Sequence, residues 1–504
     1  MKKNKYLSVI LMVCSLTVFI WGGEWWAQNK AKSEKTPIFI NEVCSNNYAV
    51  LKEGEANYPD YIELYNAGEK PVSLEGYCLS DSKNGMEKSS VGKMIMEPHS
   101  YLLIYADDQK AEGHVGFKLN KNGEQLFLIS PQGKVVDSVE IPALKYNTSF
   151  SRMKEGKDVW ERRTATPGKN NNMSERVPDP DMEQVIFSSE SGFYKDEFLL
   201  TLRSTEGYDI YYTLDGSEVG MGAIKYEMPI RIKEVSGEPN RLAGRKDLSP
   251  KDTYSPSYCV NKAVVVRAAA YDRKSGIFSE STSKTYFVGY ESKPEYQNFP
   301  IISMVTDPEQ LFDFEKGIYG NGAEYQNYLD AGGYQNGEIL DSFIDKEGNK
   351  RELYMASNSF KEGREWEREA QIDYFDSDHN LLFSKSIGIR ISGESTRSRS
   401  HKSLKLYARD IYDDDRSMIF DWNGEQREWK AIRLRNGGNE SDTNIIKNAF
   451  IQSLIMDRNV AVQDAAPCIL FLDGEYWGFY FLTEIYGRMV PEILWDRRGQ
   501  YFYD

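Results

Sequence analysis

The sequence predicts a multidomain, mainly β protein, with two β-sandwich (immunoglobulin-like) modules followed by an α+β domain. The chain has 504 residues, too many for one core at the usual domain size of roughly 100 to 200 residues. Aromatic residues make up 13% of the chain, and 39 glycines separate short runs of β-branched and aromatic residues, which is typical of strands and turns. Several runs also alternate apolar and polar side chains with the period of a half-buried strand.

The N-terminus has the pattern of an export signal. Lys2, Lys3 and Lys5 precede an apolar stretch over residues 6–21. Trp25 and Trp26 follow without a good cleavage site and suit a lipid interface, which favours an uncleaved anchor slightly over a cleaved signal peptide. Residues 1–36 are therefore interpreted as a signal peptide or membrane anchor plus linker. The rest is expected to be extracytoplasmic, touching the membrane only through this segment.

Charge and cysteine content exclude some function classes. The 62 Lys and Arg residues against 77 Asp and Glu give a net charge of −15, so a nucleic-acid backbone would be repelled. With four histidines, five cysteines, no CxxC and no HExxH, zinc chemistry is close to excluded. Cys44 and Cys78 fall in one predicted module, so a disulfide between them stays open; buried free thiols are the favoured alternative.

Residues 37–172 are predicted to form the first sandwich. The run from Asp60 to Asn66 alternates in polarity, which predicts one buried and one solvated face. Asn41, Glu42, Asp60 and Glu63 could form a carboxylate pair for acid–base chemistry, but turn-capping and solvated-face roles are favoured.

The first module also resembles a known family. The resemblance is carried by Ile40-Asn-Glu-Val, Asp60-Tyr-Ile-Glu-Leu-Tyr-Asn, Leu79-Ser-Asp, Gly123-Glu, Ser151-Arg and Thr166-Pro-Gly. In this order they resemble the lamin tail domain. That resemblance implies an immunoglobulin-like sandwich of the kind that bacterial exported proteins carry as an accessory module.

Residues 182–292 are predicted to form a second sandwich. Tyr208, Ile210, Tyr212 and Leu214 share one face of a strand, and Asp215-Gly216 is a hairpin-type turn signal. The string Tyr211-Tyr-Thr-Leu-Asp-Gly-Ser resembles the small domain at the C-terminal end of chitobiases and β-hexosaminidases. In that family it is an appendage, so the resemblance does not imply glycan hydrolysis.

Residues 297–504 mix strands with a helix. Strands are predicted at Ile387-Gly-Ile-Arg-Ile and at Lys402-Ser-Leu-Lys-Leu-Tyr, with Lys402, Leu404 and Leu406 on one face. A helix capped by Ser441 or Asp442 is predicted from the spacing of Ile446, Phe450 and Leu454, and a hairpin around Asp473-Gly474 completes the unit.

Phosphoryl transfer needs cations and backbone amides around the phosphates, and a lysine held by a carboxylate. The loop containing Gly393 and Ser395 offers amides, Lys402 offers an ammonium, and Glu484 at the end of an apolar strand offers a carboxylate. Two structural alternatives stay open: Lys402 at a strand end with its ammonium in water, and Glu484 as a strand cap. The run Asp413-Asp-Asp415 is more readily a solvated loop than a metal site.

The third domain resembles a family of kinase-like proteins. The strings are Phe299-Pro-Ile-Ile-Ser, Thr306-Asp-Pro-Glu-Gln-Leu-Phe-Asp, Gly317-Ile-Tyr, Trp366-Glu-Arg-Glu-Ala, Gly388-Ile-Arg-Ile-Ser-Gly, Lys402-Ser-Leu-Lys-Leu-Tyr-Ala-Arg, Leu434-Arg-Asn-Gly-Gly-Asn and Asp473-Gly-Glu-Tyr-Trp-Gly-Phe-Tyr. Together they resemble the CotH family, the spore coat protein H-like proteins.

Members known as enzymes are atypical secreted kinases that use ATP and magnesium to phosphorylate serine on coat proteins. The resemblance therefore implies that Lys402 approaches the phosphates with Glu484 as its partner, and Gly393, Ser395 and Arg390 complete the predicted ATP phosphate site. The family's metal-binding acidic residues lie C-terminal of the hairpin, whereas this sequence ends in an apolar run. We therefore expect a kinase-like domain truncated at its C-terminus, with no catalytic or metal-binding residue in the chain.

Two functions remain in competition. The first is an exported CotH-like protein whose full-length form is an ATP- and magnesium-dependent serine kinase acting on coat or surface proteins. The second is a non-catalytic cell-surface protein whose sandwich modules bind cell-wall glycan or a surface protein. A glycoside hydrolase is disfavoured because no segment supplies two placed carboxylates.

Overall fold

The computed structural model describes residues 36–485, apart from 56, 83–88, 155, 252–254, 423, 442 and 459–461. The chain divides into two compact units at Val177. The predicted leader falls outside the described residues. Among those that are described, no helix is long and apolar enough to cross a membrane.

The first unit is a two-sheet sandwich, as predicted for an immunoglobulin-like module. Its strands are β1 (Ile38–Cys44), β2 (Asp60–Asn66), β3 (Val72–Ser73), β4 (Cys78–Ser80), β5 (Ser89–Ser90), β6 (Ile95–Met96), β7 (Tyr101–Ala106), β8 (His114–Val115), β9 (Glu124–Ile129), β10 (Val135–Ile141), β11 (Thr148–Arg152) and β12 (Trp160–Thr164). One sheet has the order β12-β11-β1-β2-β7-β8 and the other β10-β9-β4-β5. Apolar side chains from both sheets form one core, including Ile62, Leu64 and Leu126, which are fully buried. Cys44 and Cys78 are free thiols.

Strand β2 differs from the prediction because both of its faces are buried. Glu42 and Glu63 are direct cross-strand neighbours and have no exposed surface, so the solvated-face interpretation of these carboxylates is wrong. Glu42 accepts hydrogen bonds from the Thr166 amide (2.9 Å) and hydroxyl (2.8 Å), and Glu63 accepts one from the Gly168 amide (2.5 Å). The Thr166-Pro-Gly segment thus covers this face, and the two carboxylates hold it there.

Burial sets the protonation of this pair. Desolvation raises the pKa of Glu63 from 4.5 to about 8, although its hydrogen bonds with Gly168 and Asn41 oppose the shift. Desolvation also raises the pKa of Glu42, against the lowering effect of its hydrogen bond from Tyr61.

Glu63 is predicted to make the first unit less stable as the pH rises. Between pH 4.5 and about 8 the folded state keeps a proton that the unfolded state has released, so the free energy of unfolding falls across this window. The slope is at most about 1.4 kcal/mol per pH unit. Glu63→Gln cannot ionise and should flatten it. Amide hydrogen exchange in β2 at pH 5 and pH 8, corrected for intrinsic rates, measures the change in unfolding free energy. If the variant keeps the pH dependence of the wild type, another group is responsible for it.

The second unit begins with the middle module. Its strands are β13 (Ile186–Phe187), β14 (Gly192–Tyr194), β15 (Phe198–Leu200), β16 (Leu202–Arg203), β17 (Tyr208–Thr213), β18 (Ile224–Lys225), β19 (Ile230–Ile232), β20 (Val264–Asp272), β21 (Ile277–Phe278) and β22 (Thr282–Val288). The main sheet runs β14-β22-β20-β17-β18 with β21 on β20, and β13-β16 and β15-β19 form two small sheets. Ile210, Val266 and Ala270 lie in their shared core.

The strands of the third segment are β23 (Ile301–Val305), β24 (Tyr334–Gln335), β25 (Glu338–Ile339), β26 (Ser342–Ile344), β27 (Lys350–Glu352), β28 (Arg368–Phe375), β29 (Leu381–Ser392), β30 (Ser403–Tyr407), β31 (Met418–Trp422), β32 (Glu425–Trp429), β33 (Ala431–Arg435), β34 (Ala465–Leu472) and β35 (Glu475–Thr483). In the described chain, seven of them close into a barrel in the order β23-β28-β29-β30-β33-β35-β34. The parallel pairing of β23 with β34 completes the ring. The sequence predicted individual strands here but not their closure.

Three α-helices lie in the described part of this segment: α1 (Pro308–Phe312), α2 (Gly322–Tyr328) and α3 (Lys447–Ser453). The helix predicted near Ile446 corresponds to α3, but Ser441 does not cap it, and Asp442 lies outside the described residues. Ile446, Phe450 and Leu454 are more than half exposed, so the predicted apolar face is not buried among the described residues. With Phe481, this helix lines a cavity of about 270 Å³.

The middle module and the barrel meet through two Asp-Gly turns. Gly216 has φ +82°, and a Cβ placed there would lie 2.3 Å from Asp473 Oδ1 and 3.0 Å from the Thr306 carbonyl oxygen. Gln371 Nε2 also donates to the Ser283 carbonyl at 2.9 Å, and the Thr285 and Ser303 hydroxyls are bonded at 2.8 Å. The two segments therefore form one packed body rather than separate sandwiches on a string.

Gly216→Ala is predicted to destabilise this joint. The new Cβ would overlap Asp473, which is buried against the barrel and has little room to move. The variant should therefore lose about 1 to 3 kcal/mol of stability and melt at a lower temperature. Gly207→Ala is the control, because Gly207 also has positive φ (+100°) but has no heavy atom within 4 Å of its Cβ position. Equal melting temperatures for the two variants would show that the close approach contributes nothing beyond backbone strain.

Candidate phosphate-binding site

Three cations stand in one row across neighbouring barrel strands. Arg390 on β29 is directly opposite Lys405 on β30, and Lys405 is directly opposite Arg433 on β33. The flanking residues of each strand point the other way, into the core; they are Ile389, Ile391, Leu404, Leu406, Ile432 and Leu434. The period-two alternation therefore places all three cations on the outer face of the barrel. We call Arg390, Lys405 and Arg433 the cationic row.

The row is electrostatically costly as it stands, because like charges directly opposite each other destabilise a sheet. Among the described residues, no carboxylate lies within ion-pair distance of Lys405, Arg433 or the adjacent Arg435. The Nε atoms of Arg433 and Arg435 are buried without a hydrogen-bond acceptor. Burial, followed by the charges of Arg433, Arg397 and Arg390, lowers the pKa of Lys405. Burial and Arg435 lower the pKa of Arg433. A bound anion would relieve these costs.

Glu367 anchors one end of the row. Its carboxylate has no exposed surface and lies 2.7 Å from Arg390 Nε. It also accepts hydrogen bonds from Arg409 Nε (2.7 Å) and from the Tyr412 hydroxyl (3.0 Å). Both guanidinium groups lie against the Tyr407 ring, at 5.2 Å for Arg390 and 4.4 Å for Arg409. This packing fixes the direction of Arg390.

The loop between β29 and β30 folds around an arginine. Gly393 has φ +112° and its carbonyl accepts a hydrogen bond from Arg397 Nε at 2.6 Å. Arg397 Nη2 donates to Glu362 at 2.6 Å, which ties the loop to a neighbouring segment. Gly393 and Ser395 are exposed. We call residues 393–400 the Gly393 loop; it connects the strand of Arg390 to the strand of Lys405.

Lys402 does not lie where the sequence analysis put it. It has no exposed surface, and its ammonium donates to the carbonyl oxygens of Leu248 (2.8 Å), Arg397 (2.6 Å) and Arg399 (2.7 Å). The prediction that Lys402 shares a face with Leu404 and Leu406 holds, but that face is the closed interior of the barrel. An ammonium has three donors and all three are used here, so Lys402 is not available to phosphate.

Glu484 is not among the acceptors of Lys402, so the predicted pairing of these two residues is corrected. The Glu484 carbonyl accepts a hydrogen bond from Gln463 at the end of β35. Arg390 thus joins the cationic row, Gly393 and Ser395 lie in the loop beside it, and Lys402 lies beneath that loop. Lys405 and Arg433 were not predicted as site residues, although each stands between two apolar residues of its strand, the pattern that marks an outward-facing side chain.

Two acidic groups outside the row have other partners. Asp415, the last residue of the run Asp413-Asp-Asp415, binds Lys385 Nζ at 2.6 Å, and this hydrogen bond lowers the pKa of Asp415. Asp415 is therefore part of an ion-paired turn. In the first unit, His114 Nδ1 lies 3.1 Å from Asp107 and its Nε2 lies 3.2 Å from Glu53. The sequence did not predict this group. Each ring nitrogen of His114 therefore faces a carboxylate.

Comparison with family models identifies three segments. The lamin tail domain model matches residues 31–143, and the CotH kinase protein model matches residues 389–491. The resemblance to the CotH family is confirmed. The CotH match includes the cationic row, the Gly393 loop, Lys402 and Glu484. Residues 200–286 match the model described as Fn3 associated, whereas the sequence resemblance named a chitobiase-type domain. No curated protein matches the chain.

Glu367→Gln is predicted to loosen the anchored end of the row in this CotH-like domain. The variant keeps the shape of the side chain but removes the charge that faces Arg390 and Arg409, which are both partly buried. We expect a loss of about 1 to 3 kcal/mol in unfolding free energy, measured by thermal melting. Glu428→Gln, at an exposed position on β32, should have almost no effect. A normal melting temperature for Glu367→Gln would mean that the arginines find other partners.

Proposed function

We propose that the cationic row binds the phosphates of ATP, and that the full-length protein is an exported, envelope-associated serine kinase acting on coat or surface proteins. The observation that carries the proposal is the set of half-buried cations at Lys405, Arg433 and Arg435 without described carboxylate partners, in a chain whose net charge is −15. Such a surface favours a compact polyanion, because charge-assisted bonds to phosphate are among the strongest hydrogen bonds in proteins.

The donor set fits a polyphosphate. Neighbouring strands are about 4.8 Å apart, so the row presents three cations along roughly 10 Å, within reach of a triphosphate for side chains this long. Arginine offers paired N–H groups that match two phosphate oxygens, and lysine offers a mobile point charge. The exposed backbone of the Gly393 loop lies at the edge of the row and adds amide groups.

Magnesium is a different matter. The carboxylates nearest the row, Glu367 and Glu362, are each bound to an arginine, so the described residues around the row leave no carboxylate for a metal ion. In the proposed function these residues bind and orient phosphate. Magnesium use and the serine substrate extend the proposal by analogy with the CotH family, and the envelope location is proposed from the leader pattern at the N-terminus.

Lys405→Ala and Arg433→Ala are predicted to weaken ATP binding about tenfold or more each, because each removes one charge-assisted contact worth about 1.5 to 3 kcal/mol. Isothermal titration of ATP into the full chain measures the affinity. Lys430→Ala, which removes a charge at an exposed position just before β33, is the matched control and should bind as the wild type does.

Raising the salt concentration should weaken binding in the wild type more than in either row variant. Equal ATP affinity in all four proteins would show that the nucleotide does not bind at the cationic row. Absence of ATP binding in the wild type, together with binding of cell-wall glycan by the full chain, would favour the non-catalytic alternative.

A further inference from the structure

A segment of the middle module is built into the barrel. Residues 240–249, which we call the joining segment, place Leu242 and Leu248 in the barrel core, where they are 5% and 3% exposed. Glu475 on β35 is 1% exposed and accepts hydrogen bonds from three successive backbone amides of the segment. These are Arg241 (2.6 Å), Leu242 (3.0 Å) and Ala243 (2.8 Å). One barrel carboxylate thus fixes the start of the segment.

The far end of the joining segment is fixed by Lys402. Its ammonium binds the carbonyl of Leu248 and, at the same time, the carbonyls of Arg397 and Arg399 in the Gly393 loop. Two pieces of backbone that are about 150 residues apart in sequence therefore share one buried cation. The acceptors described for this ammonium are carbonyl oxygens from both segments, so a shift of either backbone removes part of what stabilises the buried charge.

The Gly393 loop in turn affects the cationic row. Its two ends continue into β29 and β30, which carry Arg390 and Lys405, and the charge of Arg397 contributes to the lowered pKa of Lys405. A displacement of the loop backbone would change both the position of Arg397 and the edge of the row.

We infer that Lys402 is a positioning residue that couples the joining segment of the middle module to the Gly393 loop, and that this coupling sets the phosphate affinity of the cationic row. The inference rests on the proposed function for its consequence on affinity, but the coupling itself concerns only this chain. The middle module then contributes to phosphate affinity through Lys402, although it contributes no residue to the cationic row.

The experiment is hydrogen exchange of the full chain, read in residues 241–249 and 393–400, together with ATP titration. Lys402→Met should speed exchange in both segments and weaken ATP binding about tenfold. Glu475→Gln disturbs the joining segment but does not contact the Gly393 loop. If the two are coupled through Lys402, this variant should also speed exchange in residues 393–400. It keeps the test valid if Lys402→Met does not fold. Lys385→Met, another nearly buried lysine of the same barrel, is the control and should speed exchange only near its partners Asp415 and Ser417.

The salt dependence of ATP affinity distinguishes a residue that positions the site from a residue that contacts phosphate. Lys402→Met and Glu475→Gln should lower ATP affinity while keeping the wild-type slope of affinity against salt, because the number of phosphate contacts is unchanged, whereas Lys405→Met should reduce the slope. Faster exchange in 241–249 but not in 393–400 for Glu475→Gln would overturn the coupling. If the wild type binds no ATP, the proposed function fails, and the exchange data alone still decide whether the two segments are coupled.

Discussion

The second unit depends on how one buried ammonium is satisfied. Lys402 has no access to water, and an isolated charge in such a place would cost many kcal/mol. Its stability there depends on the carbonyls of Leu248, Arg397 and Arg399. The positions of the Gly393 loop and of the joining segment are therefore constrained together, and with them the strands on either side of the loop.

The same constraint changes the interpretation of the middle module. A chain of independent sandwiches would let each one act as a separate adhesive domain. Here Glu475 of the barrel caps three amides of the middle module, and Phe287 of β22 packs edge-to-face on Phe471 of β34 at 5.0 Å. Cutting the chain between the two modules would expose this shared core. Assays of glycan or nucleotide binding are therefore best made on the whole unit.

The first unit uses buried acidic side chains as hydrogen-bond acceptors. Its two carboxylates, Glu42 and Glu63, stand side by side and bind the amides of Thr166 and Gly168, so they fix a segment that arrives about a hundred residues later in the sequence. Burial raises the pKa of both carboxyls. This arrangement needs no catalytic role for the two acids, because they serve as acceptors for backbone donors that would otherwise be buried and unpaired.

The mainly β class, the order of the three segments and the resemblance to the lamin tail and CotH families could all be predicted from the amino-acid sequence, because strand alternation and family strings are local properties. The sequence also predicted that Lys402 faces the same way as Leu404. The fold was needed to show that this face is the inside of a closed barrel, that the Lys402 ammonium binds backbone carbonyls, and that Arg390, Lys405 and Arg433 are in register. Closure of the barrel and the register of its strands depend on pairing between segments that are distant in sequence, and the alternation of apolar and polar residues within one strand does not specify that pairing.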